Sequence, residues 1–425
     1  MAVLSRYNVI KTIGEDTWVF NTLTSAFVKL PTEEWRKIAD GNEDEETAAQ
    51  LKTMGFKVSS HEDEIRAYKY RCYSSAFSQK TLSLSIAPTM MCNFACAYCF
   101  EGGNKTMPAM SDEVAEKLVQ FIEKNGQDST AINWFGGEPL LAFDRIVSLS
   151  KALEEKNVNF TATMVTNGSC LTSDKLERMK TLHLRNVQVS MDGTAKHHDK
   201  RRFFKSGKPS FDIVRSNIDR FLEGTDIRMT IQVTVDRENA SAYEDLLEEF
   251  GKRYAPYIKQ KRLQIGCNPV QNRTGFDDKA GNCFTKEEIA EEKLACLENG
   301  VANDKTPGLP QPSLPCMYRS AANYAIDPEG NIYHCLEHLG DRAKSMGNVA
   351  TGQMSLNALA RTTFEDSPFD DERCVKCNVF PICGGGCPLD REKARLSGNH
   401  DTCCTLYKKC MPDFLPAFYN RYFKS

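Results

Sequence analysis

Cys92-Asn93-Phe94-Ala95-Cys96-Ala97-Tyr98-Cys99-Phe100 sets three thiols on one short stretch, with three and then two residues between them. It follows Leu82 to Ala87, whose alternation of apolar and small polar residues predicts a half-buried strand. Three thiolates on one loop can bind three irons of a 4Fe-4S cube and leave the fourth iron open to a small molecule. A zinc ion on the same loop needs a fourth ligand from elsewhere. The chain has 17 cysteines in 425 residues. In a reducing compartment, clustered thiols are candidate metal ligands rather than disulfide partners. The start of the chain mixes Arg6 and Lys11 with polar residues instead of a signal-peptide core, and no later run of about 18 apolar residues could span a bilayer. A cytoplasmic protein without a membrane partner is expected. A formal net charge of -3 gives no pull toward nucleic acid.

Moving outward from the triplet, residues 79–302 alternate between strand and helix patterns, which predicts a βα series with a parallel sheet. The strands are expected at Leu82–Ala87, Ala131–Phe135, Asn159–Val165, Asn186–Ser190, Arg228–Val235 and Leu263–Cys267. Helices are expected at Asp112–Asn125, Phe143–Glu155, Ser173–Lys180, Phe211–Glu223 and Ala240–Arg253. Six such steps make a partial (β/α)6 barrel, with reactive groups at the carboxyl ends of its strands. Three further motifs fall there. Trp134-Phe135-Gly136-Gly137-Glu138 ends the second strand, where glycine admits a close ligand and Glu138 can accept hydrogen bonds from an ammonium group. Thr166-Asn167-Gly168 ends the third. Ser190-Met191-Asp192-Gly193 ends the fourth and runs on to His198, Asp199 and Arg202; Ser190 and Asp192 suit hydroxyl recognition, and Arg202 offers a fork for a carboxylate. Each alone is an ordinary turn, but their order at successive strand ends is not. Asn239, after the fifth strand, is a weaker candidate or a helix cap.

The flanks differ. Residues 1–78 read as a small separate unit: short strands at Tyr7–Ile13 and Thr17–Phe20, amphipathic stretches at Thr32–Ala39 and Glu45–Met54, a returning strand at Gly55–Val58, and an acidic connection, His61 to Glu64. Residues 303–315 hold four prolines and read as a linker. Residues 316–425 carry Cys316, Cys335, Cys374, Cys377, Cys383, Cys387, Cys403, Cys404 and Cys410 and read as a small domain held by ligands. Cys72, Cys170, Cys267, Cys283, Cys296 and Cys410 follow no spacing rule and are expected to be inert buried thiols.

The triplet, with Tyr98 directly before its last cysteine, and the strand-end motifs resemble those of radical S-adenosylmethionine (radical SAM) enzymes. The resemblance implies that the open iron chelates the amino and carboxylate groups of S-adenosylmethionine. It further implies cofactor contacts from Tyr98, Gly136, Gly137, Glu138, Thr166, Asn167, Ser190, Asp192 and Arg202. The later array, Cys316, Cys335, Cys374-x2-Cys377-x5-Cys383-x3-Cys387 and Cys403 or Cys404, resembles the SPASM auxiliary-cluster domain. By that pattern Cys374, Cys377, Cys383 and Cys404 hold one auxiliary cluster and Cys316, Cys335 and Cys387 the other, three [4Fe-4S] clusters in all. Cys403 is a spare thiol or the missing fourth ligand, and Ala322 stands where some relatives have a further cysteine. Residues 1–78 resemble the winged-helix leader-recognition domain of ribosomal-peptide (RiPP) maturases.

Together these imply an α/β radical SAM peptide maturase that crosslinks a precursor peptide bearing a leader and draws electrons from a flavodoxin or ferredoxin. Glu337, Asp327 and His338 are candidate bases without a motif. The competing readings are an anaerobic sulfatase-maturing enzyme, a non-catalytic zinc adaptor and an electron-transfer protein.

Overall fold

The computed structural model describes residues 2–96, 98–99, 107–270, 281–298, 307–355, 361, 364–365 and 367–423. The chain forms two compact units. One comprises Met1–Phe77, Thr285–Arg319 and Ala360–Ser425; the other comprises Ser78–Phe284 and Ser320–Leu359.

The second unit is built on six parallel strands that lie side by side in chain order: Thr81–Ile86, Ser129–Trp134, Phe160–Thr166, Leu184–Met191, Arg228–Val235 and Leu263–Pro269. Helices Asp112–Asn125, Phe143–Glu155, Ser173–Met179, Phe211–Gly224 and Ala240–Arg253 connect them, joined by the short Ala195–Arg201. Parallel strands covered on both faces are usually apolar throughout. These alternate instead: Met229, Ile231, Val233 and Val235 are buried while Thr230, Gln232 and Thr234 are half-buried, and Leu82, Leu84 and Ile86 alternate with Ser83 and Ser85. One face of the sheet therefore packs in the core, and the other is polar. The helix Asp112–Asn125 forms where periodic apolar residues follow a cap. Ser111 accepts from Val114 N at 3.2 Å, and Ala115, Leu118, Val119 and Ile122 supply the buried stripe.

The sheet continues past the sixfold series. Asn323–Ile326 pairs in parallel with Thr81–Ile86, and Asn331–Tyr333, Gly347–Asn348 and Gln353–Met354 follow antiparallel. Residues 316–425 are thus divided: 320–359, with Cys335, group with the sheet, whereas Cys316 and the cysteines from Cys374 onward are in the first unit. The physical reason is the exposed edge of Thr81–Ile86, whose backbone groups need partners. Asp327 is not a free base. It is fully buried and accepts from Glu329 N, Asn331 N, Asn331 Nδ2 and Tyr333 OH at 2.8–3.0 Å, which shapes the hairpin. Of the expected linker, residues 307–315 have no helix or strand, and 303–306 lie outside the described residues.

In the first unit, Asn8–Ile13, Asp16–Asn21 and Phe27–Pro31 form an antiparallel meander. Helices Thr32–Ala39, Glu45–Met54 and His61–Ala76 follow, with Lys57–Val58 paired to Val3–Leu4. The acidic segment His61 to Glu64 is not a connection but the first turn of a 16-residue helix. Ser60 caps it by accepting from Asp63 N, and carboxylates favour that end of the dipole. Nor does the N-terminal region stand apart. Val9, Trp18, Phe20 and Phe27 share a core with Val379, Met411, Phe414, Leu415 and Phe418. Tyr68 meets Phe380 edge-on at 5.2 Å and donates to Pro381 O at 3.1 Å. Among the described residues no helix is long and apolar enough to cross a membrane.

Because the two rings touch, the losses from Tyr68→Ala and Phe380→Ala are expected not to add. A double-mutant cycle by chemical denaturation should give a coupling of about 0.5–1.5 kcal/mol; additive losses would refute the contact.

Candidate functional site

At the carboxyl ends of the parallel strands lies a cavity of about 540 Å³. Ten of the cluster and cofactor residues expected from sequence line it: Cys92, Cys96, Cys99, Tyr98, Gly136, Gly137, Thr166, Asn167, Ser190 and Arg202. Its wall also includes Gln188, Gln232, Thr234, Asn268 and Glu337. Of these five, sequence reasoning singled out only Glu337; the available signal for the other four was their place on predicted strands or just past a strand end. Gln232 Nε2 is buried and has no hydrogen-bond partner. An unpaired donor on the wall of a cavity fits a ligand that brings an acceptor.

Two of the three thiols accept hydrogen bonds. Cys92 Sγ accepts from Phe94 N at 3.4 Å and Asn167 Nδ2 at 3.9 Å, and Cys96 Sγ accepts from Arg202 Nη1 at 3.9 Å. Donors on sulfur stabilise the thiolate and tune a bound cluster.

Two expected contacts are redirected. A Cβ on Gly137 would lie 2.4 Å from the carbonyl oxygens of Met90 and Met91, and one on Gly136 would lie 2.5 Å from Thr89 O. What these glycines admit at close range is the chain entering the cysteine loop. Glu138 does not reach into the cavity to meet an ammonium. It is fully buried and accepts from Leu140 N at 3.0 Å, Thr166 Oγ1 at 2.7 Å and Asn167 N at 2.7 Å. Burial raises its carboxyl above the usual glutamate range despite these bonds. Its work is to place Asn167, whose amide touches Cys92.

Asp192 is likewise not open for hydroxyl recognition. Its buried carboxylate accepts from Tyr98 OH at 2.7 Å, Arg201 Nε at 2.9 Å and Arg202 Nε at 2.8 Å. Burial opposes its charge, but Arg202, Tyr98 and Arg201 together hold it below the usual aspartate range. Both guanidiniums also lie over the Tyr98 ring, at 4.9 and 5.5 Å. Arg201, which sequence reasoning passed over, pairs further with Asp236 at 2.8 Å. Asn239 is buried and stands at the N-cap position of the helix Ala240–Arg253, but its side chain makes no cap bond there; Nδ2 donates to Asp192 O at 3.0 Å and Thr234 O at 2.8 Å, tying two strand ends together. His198 is buried, and desolvation lowers it to about 4, so it is neutral and pairs with Ser210 at 3.0 Å. Asp199 caps the next helix through Ser210 N and Phe211 N. His338, lowered to about 4 by burial and by Lys344, does not line the cavity.

In the first unit Cys374, Cys377, Cys383, Cys403 and Cys404 line a second cavity of about 410 Å³. Arg391 donates to Cys374 Sγ at 3.4 Å and pairs with Asp371 at 3.3 Å. Gly384, Gly385 and Gly386 all have positive φ, and a Cβ on Gly386 would lie 1.8 Å from Cys403 O. No other residue fits that turn. The thiols ring a space rather than a point. Among the described residues no three His, Cys, Asp or Glu side chains gather around a single metal ion; five thiols line the cavity, and thiolates are the ligands of iron-sulfur clusters. Cys316 and Cys387 are in this same unit, and Cys335 is in the other.

Residues 86–250 match the family described as the Radical SAM superfamily. A cysteine-type anaerobic sulfatase-maturating enzyme of Clostridium novyi is 25% identical over 357 residues, 76% of this chain and 92% of that protein. The structure of native anSMEcpe with bound AdoMet and Cp18Cys peptide superposes with a TM-score of 0.58 at 21% identity, covering 81% of this chain and 97% of the other. Streptococcus suis SuiB bound to S-adenosylmethionine gives 0.54 at 17% identity, covering 92% and 96%.

Asp192→Asn would leave two arginines facing an amide. A loss of about 3 kcal/mol in unfolding free energy is expected. Because the folded carboxyl titrates below its unfolded value of about 4, its contribution is present above that value and disappears as pH falls through the folded one. Denaturation followed from neutral to acid pH should show this decline in the wild type and not in the variant; equal acid slopes would contradict it.

Proposed function

We propose that this radical SAM enzyme is a peptide maturase that installs an oxidative side-chain crosslink, a thioether or a C-C or C-O link, in a ribosomally made precursor peptide. The observation that carries the reading is the shared chamber: Cys92, Cys96 and Cys99 open into the same space as a wall of uncharged amides and hydroxyls from the fourth to sixth strands. Cys92, Cys96 and Cys99 hold the cofactor cluster, and Tyr98, Gly136, Gly137, Thr166, Asn167, Ser190 and Arg202 form the wall around S-adenosylmethionine. Bound there, these groups would supply one-electron, hydrogen-abstracting chemistry, and a cluster held by the thiols of the second cavity would supply a one-electron acceptor.

The protein's own contribution is placement. Glu138 orients Asn167 toward Cys92, and Asp192 orients Arg202 toward Cys96, so the thiols and the wall keep one geometry. Gln188, Gln232 and Asn268 offer both donors and acceptors, which suits the amides of a peptide. The meander at the N-terminus has outer strands Asn8–Ile13 and Phe27–Pro31, and an edge strand is a place to add a leader peptide. A flavodoxin or ferredoxin is the electron source in this scheme.

The span of the SuiB likeness, 92% of this chain, supports this reading, and SuiB has been solved with its precursor peptide SuiA. The second reading, oxidation of a sulfatase cysteine or serine, is favoured by the curated relatives, among them a serine-type enzyme of Bacteroides thetaiotaomicron at 24% identity over 75% of this chain.

Reduced protein given S-adenosylmethionine is expected to release 5′-deoxyadenosine, and the Cys92, Cys96 and Cys99 to Ala variant to release none. Co-expression with a short peptide encoded beside the enzyme should lower the peptide's mass by the two hydrogens lost per link. An unchanged peptide, together with conversion of a sulfatase segment to formylglycine, would transfer the assignment to the second reading.

A further inference from the structure

We propose that Cys403 and Cys404 are interchangeable ligands to one iron-sulfur cluster, both thiols opening into the cavity that Cys374, Cys377 and Cys383 also line. This rests on reading that cavity as a cluster site. A cubane takes four protein ligands, and five thiols are present. Neighbouring residues in a helix or strand usually send their side chains in different directions. Here the 3-10 turn His400–Cys403 ends on Cys404 in an extended conformation, φ -71° and ψ 150°. As a result both sulfurs face the same carbonyl, with Cys403 Sγ 3.2 Å and Cys404 Sγ 3.7 Å from His400 O.

The backbone carrying the pair is pinned. Lys286 Nζ donates to Thr402 O and to Cys404 O, each at 2.6 Å. On the other side the glycine run lets the Cys403 carbonyl approach so closely that a Cβ at Gly386 would overlap it. With the peptide held, exchanging one thiol for the other requires only side-chain rotation between staggered positions. Cys404 has a place to go. It also lines a neighbouring cavity of about 430 Å³, with Leu294, Cys410 and Phe414, which Cys403 does not line. Cys404 withdraws into that space when Cys403 ligates, so the cluster keeps four thiolates when either one is lost.

The test uses the full chain, reconstituted anaerobically with iron and sulfide, as wild type, Cys403→Ala, Cys404→Ala, the double variant and Cys374→Ala/Cys377→Ala. Iron and sulfide per chain, absorbance near 400 nm and the electron paramagnetic resonance of the reduced protein are read. Each single variant should keep the wild-type iron content, with a shifted resonance signal. The double variant and the Cys374/Cys377 variant should each lose about four irons per chain. Loss of about four irons from either single variant overturns the proposal, and the single variants decide it even if the double variant does not fold. Full iron in the double variant overturns it as well. Full iron in the Cys374/Cys377 variant would show instead that the cavity holds no cluster, which is failure of the reading beneath it.

Discussion

The carboxylate of Asp192, cut off from water and shared by Tyr98, Arg201 and Arg202, joins the cysteine loop to the fourth strand end. Tyr98 sits between Cys96 and Cys99, so whatever fixes its ring fixes the loop that carries the thiols. A buried aspartate with two guanidiniums is stable only while every member is present. That all-or-none character suits a site whose three thiols must keep their spacing. Asn239 extends the constraint by tying the Asp192 backbone to the end of the fifth strand.

Glu138 plays the corresponding part on the other side of the chamber. It joins the second strand end to the third, and through Asn167 it reaches Cys92. Gly136 and Gly137 complete the arrangement because any side chain there would collide with the backbone entering the loop. Both carboxylates hold in place residues that line the chamber. A buried carboxylate needs donors at once, and backbone and side-chain donors from the adjacent strand ends are already within reach.

The second cavity works differently. Its walls come from short turns, the glycine run, the helix Pro388–Ser397 with Arg391 paired to Asp371, and the buried Val379 and Phe380. The long helix Tyr407–Tyr422 beyond it packs with the N-terminal meander. The ends of the chain are thus built into one core, and the cysteine turns are carried on its surface.

Much of this architecture is legible in the order of residues alone. The Cys92, Cys96 and Cys99 spacing, the six strands and the helices between them, and the order of motifs at the strand ends are local patterns, and local patterns survive in one dimension because hydrophobic period and thiol spacing are properties of neighbours. The match over residues 86–250 and the likeness to solved folds agree with them. Tertiary structure alone decided that Glu138 reaches the third strand end and Asp192 the cysteine loop, since Thr166 and Tyr98 lie 28 and 94 residues away from them, although Leu140, Arg201 and Arg202 are near in sequence. It also decided that Asn323–Ile326 caps the sheet edge, that His61–Ala76 packs on Phe380, and that Cys403 and Cys404 face one cavity. Each of these depends on which donor, edge or ring is nearest after folding, and no spacing along the chain encodes that distance.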